Sequence, residues 1–160
     1  MPTPKLRQRP QPGHPKPARP NTPPTKLHTK RCGDLAEISF LYRAAHEGLD
    51  VAKPYGDNNR YDFIVDNGHK RSLVQVKSTG KEISKHRYHV NAGRRLNLGA
   101  VPYTKSEIDF LAVYLHPEKT WYILPFKAFR GQVTLALLSK HHPGHNSYSR
   151  YLEAWHLLKR

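Results

Sequence analysis

The sequence predicts an α/β or α+β fold in which helices cover a mixed β-sheet, and three observations lead to that prediction. A chain of 160 residues that is 37% hydrophobic can bury one modest core, which favours one domain with a tail. Apolar residues recur at helical or strand spacing in the order α, β, β, β, β, α. A proline-rich basic segment precedes these elements and has few of the apolar residues that a core needs.

The N-terminal segment, residues 1–31, is the predicted tail. It contains nine prolines, eight Lys or Arg residues and no acidic residue. This composition is typical of a disordered arm with partial polyproline-II character. Such an arm is either a solvated extension or a tether that follows phosphates, and the folded domain is expected over residues 32–160.

The charge of the chain indicates a polyanionic partner. Lys and Arg outnumber Asp and Glu 27 to 12, which gives a formal net charge of +15. Subtracting the eight charges of the arm leaves +7 on residues 32–160, so the domain is basic by itself. Nucleic acid is therefore the first partner to consider. No apolar run approaches the roughly 18 residues of a spanning helix, so a membrane partner is not expected.

Cysteine use and the N-terminus favour a cytoplasmic location. The chain has one cysteine, Cys32, which cannot form an internal disulfide. The N-terminal segment also lacks the apolar stretch of a secretory signal.

A helix is predicted from about Gly33 to His46, where Gly48 stops it. One arc of this helix carries the apolar residues that are expected to face the core. They are Leu35, Ile38, Leu41, Tyr42 and Ala45. Glu37 lies roughly 40° outside that arc and is expected to border the core.

Two short runs rich in β-forming residues, YDFIVD and SLVQVKS, predict an antiparallel hairpin whose loop is Asn67–Lys70. The runs IDFLAVYL and WYILP predict a second pair of strands around the turn HPEK. A C-terminal helix is expected from about Tyr148, with Leu152, Trp155 and Leu158 on one side.

Strand alternation brings polar residues together on the first hairpin. Gln75 and Lys77 point to one face, because side chains alternate along a strand. With the even-numbered loop Asn67–Lys70, Asp66 lies opposite Arg71 and Asp62 lies opposite Gln75, on the same face. A three-residue loop would move Asp62 to the other face and break the cluster.

An acid, an amide and an amine on one sheet face suit phosphodiester hydrolysis. A hard cation such as Mg²⁺ prefers oxygen ligands, which Asp62, the Gln75 side chain and the backbone carbonyl of Val76 could provide. Lys77 could orient a water molecule or hold a phosphate oxygen, and Glu37 could add a second carboxylate. The alternatives are an exposed Asp62–Lys77 ion pair and an ordinary helix-surface Glu37.

Residues 78–105, after the strand that carries Lys77, are the predicted substrate groove. Long cationic side chains contact phosphates, and aromatic rings stack on exposed bases. The residues expected to bind nucleic acid are Lys81, Lys85, Arg87, Tyr88, Arg94 and Arg95. The alternative is a flexible solvated loop.

The stretch GDLAEISFLYRAAHEGLDVAKPYGDNNRYDFIVDNGHKRSLVQVKS resembles the PD-(D/E)XK nuclease superfamily. It is similar in particular to the subgroup with glutamine at the (D/E) position, which includes small archaeal-type Holliday junction resolvases and intron-encoded homing endonucleases. The resemblance covers roughly residues 33–125. It implies a restriction-endonuclease-like core of mixed strands flanked by helices, dependence on Mg²⁺ or Mn²⁺, and catalytic roles for Glu37, Asp62, Gln75 and Lys77.

Two positions depart from the family pattern. Tyr61 stands where the family has proline, which matters little because that proline is not a metal ligand. Gln75 replaces a carboxylate, which removes a negative charge and weakens the attraction for a cation. The chain is therefore expected to be a metal-dependent DNA endonuclease, or alternatively a catalytically silent nucleic-acid-binding module of the same fold. A double-strand cut by one site per chain would also favour a homodimer or a higher homo-oligomer.

Overall fold

A computed structural model of the protein describes residues 29–56 and 58–160. Its regular elements, in chain order, are α1 (Thr29–His46), β1 (Asp50–Ala52), β2 (Phe63–Asp66), β3 (Arg71–Thr79), β4 (Glu82–Ser84), β5 (Arg87–Asn91), β6 (Arg94–Leu96), β7 (Gly99–Val101), β8 (Phe110–Leu115), β9 (Thr120–Pro125), α2 (Phe126–Phe129) and β10 (Thr134–Leu138). Two 3₁₀ turns, Ser149–Tyr151 and Trp155–Leu157, follow β10.

The central sheet has five strands in the order β1-β2-β3-β8-β9. Strands β3 and β8 pair in parallel, and the other neighbours are antiparallel, so the mixed sheet predicted from the sequence is confirmed. One face packs on α1 through a cluster centred on Phe40, Phe63 and Trp155. The other face, which includes Leu111 and Val113, packs on the second sheet.

The predicted core face of α1 is wrong. The residues that pack on the sheet are Ala36, Phe40 and Ala44, whereas Ile38 and Tyr42 are more than 60% exposed. The two alanines leave room for the helix to approach the sheet, and Phe40 fills the space between them by stacking on Phe63 at 5.2 Å between ring centroids. Leu35, Leu41 and Ala45 of the predicted arc are also exposed.

The boundary between arm and domain also changes. Helix α1 begins at Thr29, so the last three residues of the predicted arm are helical. The prediction of a disordered arm otherwise concerns residues 1–28, which lie outside the described residues.

The basic stretch after β3 is folded rather than a loop. Strand β5 alternates exposed Arg87, His89 and Asn91 with buried Tyr88 and Val90, the pattern of a strand with one covered face. It pairs with β10 on one side and β4 on the other, which forms a three-stranded sheet. Strands β6 and β7 form a separate two-stranded ribbon.

The predicted C-terminal helix does not form. The backbone of Glu153 has a positive φ of 51°, which a continuous helix does not allow. Its N–H donates to the carbonyl of Trp121 at 2.7 Å, and its carboxylate accepts from the N–H of Trp121 at 2.6 Å. The segment therefore pairs with the edge of β9, while Trp155 and Leu158 still reach the core as expected.

In the part of the chain that the structure describes, every helix is too short or too polar to cross a bilayer.

Candidate active site

The β2–β3 hairpin has the loop length on which the predicted site depends. Asn67–Lys70 form its four-residue loop, in which the Asn67 side-chain oxygen accepts from the N–H of His69 at 3.0 Å and of Lys70 at 2.8 Å. Gly68 has the φ of 83° that glycine adopts without strain. Asp66 pairs with Arg71 as predicted, so the parity of the hairpin is confirmed.

Asp62 lies just before β2 and meets Gln75 across the hairpin. Its N–H donates to the carbonyl of Val74 at 2.9 Å, which extends the ladder by one step. Its Oδ2 accepts from Gln75 Nε2 at 2.5 Å and from the N–H of Val76 at 2.8 Å. Gln75 Nε2 also lies 3.2 Å from the carbonyl oxygen of Val76. The carboxylate, the amide and the carbonyl that the sequence nominated as metal ligands therefore converge on one point.

Burial shapes the electrostatics of this cluster. Burial raises the pKa of Asp62 above its ordinary value, and the nearby negative charge of Glu37 acts in the same direction. The N–H of Val76, the positive charge of Lys77 and the amide of Gln75 oppose the increase in pKa. A cation would stabilise the ionised carboxylate here, because it would replace the hydration that burial removes.

Lys77 is held next to the cluster on the same face of β3. Burial lowers the pKa of its ammonium group, and the charge of Asp62 opposes that decrease. The Lys77 Nζ lies 6.0 Å from the ring centroid of Tyr103, at the outer limit of a cation–π contact. Tyr103 is itself buried, and burial raises the pKa of its phenol to about 12. The phenol therefore stays neutral beside the lysine.

Glu37 faces the cluster from α1. It shares a cleft of about 190 Å³ with Asp62, Asn59 and Tyr61. Its Oε2 accepts from Lys53 Nζ at 2.6 Å, and this hydrogen bond raises the pKa of Lys53. Glu37 is thus placed near Asp62 as the sequence predicted, with a lysine partner that the sequence did not indicate.

Two partners of the site carry no local sequence signal. Tyr103 and Lys53 are far along the chain from the residues that they contact, and only the tertiary fold brings them together. Asp109 accepts from the N–H of Leu73 at 2.9 Å and forms an ion pair with Lys105.

The predicted nucleic-acid contacts divide into three groups. Lys81, Lys85, Arg87 and Arg95 are exposed. Arg94 is half-buried, with its Nε 3.1 Å from Glu107 Oε1. Tyr88 is 5% exposed and packs in the core between the sheets, so its predicted role as a stacking platform is wrong. Its ring lies on the covered face of β5, which the strand alternation requires.

A family model described as PD-(D/E)XK endonuclease matches residues 27–158. The chain belongs to the PD-(D/E)XK endonuclease family. It is therefore an endonuclease of a family that uses divalent metal ions, and its fold is restriction-endonuclease-like.

Two solved structures of known nucleases resemble this family member. One is a bacterial homing endonuclease, I-Ssp6803I, at 30% identity and a TM-score of 0.67, covering 82% of this chain and 91% of that one. The other is Hjc of Archaeoglobus fulgidus, a Holliday junction resolvase from an archaeal hyperthermophile, at 15% identity and a TM-score of 0.50. It covers 80% of this chain and 96% of that one, and it supports the fold alone. No curated protein matches the chain.

The donor set of this endonuclease fits a hard divalent ion. Asp62, Gln75 and the Val76 carbonyl each offer an oxygen, which is what Mg²⁺ and Mn²⁺ prefer. Within residues 29–56 and 58–160, no three His, Cys, Asp or Glu side chains are grouped to hold a metal. The Gln75 amide and the Val76 carbonyl lie next to the Asp62 carboxylate.

Proposed function

We propose that this endonuclease hydrolyses phosphodiester bonds in DNA, with Mg²⁺ as its ion and Mn²⁺ as a substitute. The observation that carries the proposal is the meeting of Asp62, Gln75 and the Val76 carbonyl at one point beside the half-buried Lys77. The alternative, an exposed Asp62–Lys77 ion pair, would require neither the Gln75 amide nor the partial burial of both charged groups.

Asp62, Gln75 and Val76 would hold the ion, and Glu37 would bind it directly or through water. When bound, a divalent ion acidifies a water molecule and offsets the negative charge that develops on the phosphate. Gln75 would rotate its amide so that the oxygen replaces Nε2, because Nε2 now faces two acceptors. Tyr103 would keep the ammonium of Lys77 directed towards the cluster.

Lys77 would hold a phosphate oxygen or orient the attacking water. Its charge is more effective here than in bulk water, because a half-buried charge interacts through a lower dielectric. The lowered pKa of its ammonium group means that less energy is needed to remove its proton. Lys77 can therefore exchange a proton with a water molecule more readily than an exposed lysine.

A polyanionic substrate is supported by exposed cations on the segment that follows β3. Lys81, Lys85, Arg87 and Arg95 are exposed on the β4–β5 hairpin and on β6. Exposed cationic side chains of this kind can contact phosphates. DNA is the proposed polymer because the solved structure that is 30% identical to this chain is that of a homing endonuclease.

The second candidate function is a silent nucleic-acid-binding module. One observation favours it, since the Gln75 amide satisfies Asp62 and the Val76 carbonyl without any metal. In that case the cluster would only stabilise the hairpin. The presence of both Asp62 and the half-buried Lys77 favours the endonuclease, because binding alone requires neither.

We also propose that two chains act together. One chain offers one cluster of this kind in its described residues, and a cut through both strands needs two reactive centres. Sedimentation with and without DNA would test this, and a monomer that cuts both strands in one binding event would contradict it.

A cleavage assay tests the proposed function. The purified protein is incubated with supercoiled plasmid, with a four-way DNA junction and with RNA. Cleavage of DNA in Mg²⁺ and its loss in EDTA are expected, with Mn²⁺ restoring it. Salt-sensitive DNA binding without cleavage of any substrate would instead favour the silent module.

A further inference from the structure

The β6–β7 ribbon belongs to neither of the larger sheets, and its tip faces solvent. Arg94 pairs with Val101 and Leu96 with Gly99, so Asn97 and Leu98 form the turn. Leu98 is 104% exposed and Leu96 is 42% exposed. A guanidinium, an amide and an apolar side chain therefore lie together at the tip, on Arg95, Asn97 and Leu98, and all three are exposed.

The base of the ribbon is anchored tightly. The N–H groups of Ala92 and Gly93 both donate to the carbonyl of Val133, at 2.9 and 3.2 Å. A Cβ at Gly93 would lie 2.8 Å from the carbonyl oxygen of Val101 and 3.2 Å from the Val133 side chain. Glycine is needed for this close approach of the two chain segments. The exposed tip is thus carried by a fixed base rather than by a loose loop.

Both ends of the ribbon lie near residues of the candidate active site. At its first residue, Arg94 Nε lies 3.1 Å from Glu107 Oε1, and the same oxygen is 3.9 Å from Arg60 Nε, two residues before Asp62. Beyond its last strand, Tyr103 packs beside Lys77. A duplex whose phosphate lies at Lys77 would therefore pass the ribbon.

The two-stranded form of the ribbon and the chemistry of its tip suit the DNA major groove. That groove is about 12 Å wide and admits a two-stranded β-ribbon. Arginine pairs with guanine and asparagine with adenine through two hydrogen bonds each, and an apolar side chain packs on the thymine methyl group. An exposed leucine gains nothing in water, whereas contact with a methyl group removes its surface from solvent.

We propose that the β6–β7 ribbon enters the major groove beside the cleaved bond and that Arg95, Asn97 and Leu98 read base edges there. The inference rests on the proposed function and names its substrate class, a duplex recognised by its sequence. Lys81, Lys85 and Arg87 would contact phosphates and position the duplex without reading it.

The test is selection of bound duplexes from a pool with randomised positions, carried out in EDTA so that binding is measured without cleavage. The full chain is compared with Arg95→Ala, Asn97→Ala and Leu98→Ala. Ile38→Ala is the matched control, because Ile38 is 62% exposed on α1. Circular dichroism verifies that each variant is folded, which is expected because each replaced side chain is exposed.

The unaltered protein should enrich one motif. Each tip variant should lose about 10-fold of its discrimination at one or two adjacent positions and keep the rest of the motif. Ile38→Ala should keep the whole motif. An even loss of affinity across all sequences in the tip variants, an unchanged motif, or no motif in the unaltered protein would overturn the inference.

Cleavage in Mg²⁺ is measured separately, so the two proposals fail in different ways. If the tip reads a motif but no DNA is cleaved, the ribbon's proposed role stands and the proposal that the chain hydrolyses DNA is contradicted. If DNA is cleaved without regard to its sequence, the proposed hydrolysis stands and the ribbon's proposed role is contradicted.

Discussion

Gln75 Nε2 donates to Asp62 Oδ2 at 2.5 Å, and it also lies 3.2 Å from the Val76 carbonyl. The glutamine amide therefore occupies the point at which the proposed metal ligands meet. A carboxylate at the same position would add a third acceptor and provide no donor. The glutamine variant of the family motif thus stabilises the metal-free protein, at the cost of a weaker attraction for the cation.

Gln75→Glu should lower stability without metal and increase the response to metal. In EDTA the new carboxylate faces Asp62 and the Val76 carbonyl, and the lost hydrogen bonds should cost about 1–3 kcal/mol. The added negative charge should strengthen Mg²⁺ binding. Thermal melts in EDTA and in Mg²⁺ measure both effects. A variant that melts at or above the wild-type temperature in EDTA would contradict this account.

Asp62→Asn should stabilise the metal-free protein near neutral pH. Burial raises the pKa of Asp62, so between the ordinary and the raised value the folded state holds a proton that the unfolded state has released. Stability from this group therefore falls as pH rises through that window. The gain on substitution should be present at pH 7 and should vanish near the ordinary aspartate pKa of about 3.9. Urea unfolding in EDTA at both pH values tests the sign, and equal gains at both would refute it.

Tyr103 should act as a positioning residue for Lys77. Tyr103→Phe keeps the ring over the ammonium group and should retain nearly all of the cleavage rate. Tyr103→Leu removes the ring and should lower kcat about 10-fold, with little change in KM, because an unsupported lysine is misplaced. Multiple-turnover cleavage rates over a range of DNA concentrations give both constants. If Tyr103→Phe lost as much activity as Tyr103→Leu, the hydroxyl group rather than the ring would be the important part.

Glu37 should support metal binding less than Asp62 does. Glu37→Gln removes a negative charge from the cleft and should weaken the apparent Mg²⁺ affinity by about 10-fold, as outer-shell substitutions do. Titration of the cleavage rate with Mg²⁺ gives that affinity. Glu47→Gln is the matched control, since Glu47 pairs with Arg43 and Lys159 just beyond the end of α1. The same weakening in both variants would show a general charge effect.

The site was predictable where the information is local. Loop parity and strand alternation place Asp62, Gln75 and Lys77 on one face, and both follow from the identities of neighbouring residues. Tyr103 and Lys53 could not be predicted, because their contacts join distant segments.

The fold was likewise predictable in part. The strand pairs of the central sheet follow from apolar runs and turn residues. The packing face of α1 was not predictable from apolar character, because close packing selected Ala36 and Ala44 over the larger Ile38. The prediction of a C-terminal helix was also wrong because of a tertiary contact. Glu153 forms hydrogen bonds to the edge of β9 instead of continuing a helix.

The most direct test of the nuclease site is the single-turnover cleavage rate of DNA in Mg²⁺ and in EDTA for Asp62→Ala and Lys77→Ala. Asp66→Ala is the matched control, because Asp66 lies on the same hairpin and pairs with Arg71 away from the cluster. Both site variants should lose at least about 100-fold in rate, as loss of a group that stabilises transition-state charge does. The control should cleave at the wild-type rate, and EDTA should abolish all cleavage. Cleavage that persists in EDTA or in both site variants would contradict the assignment.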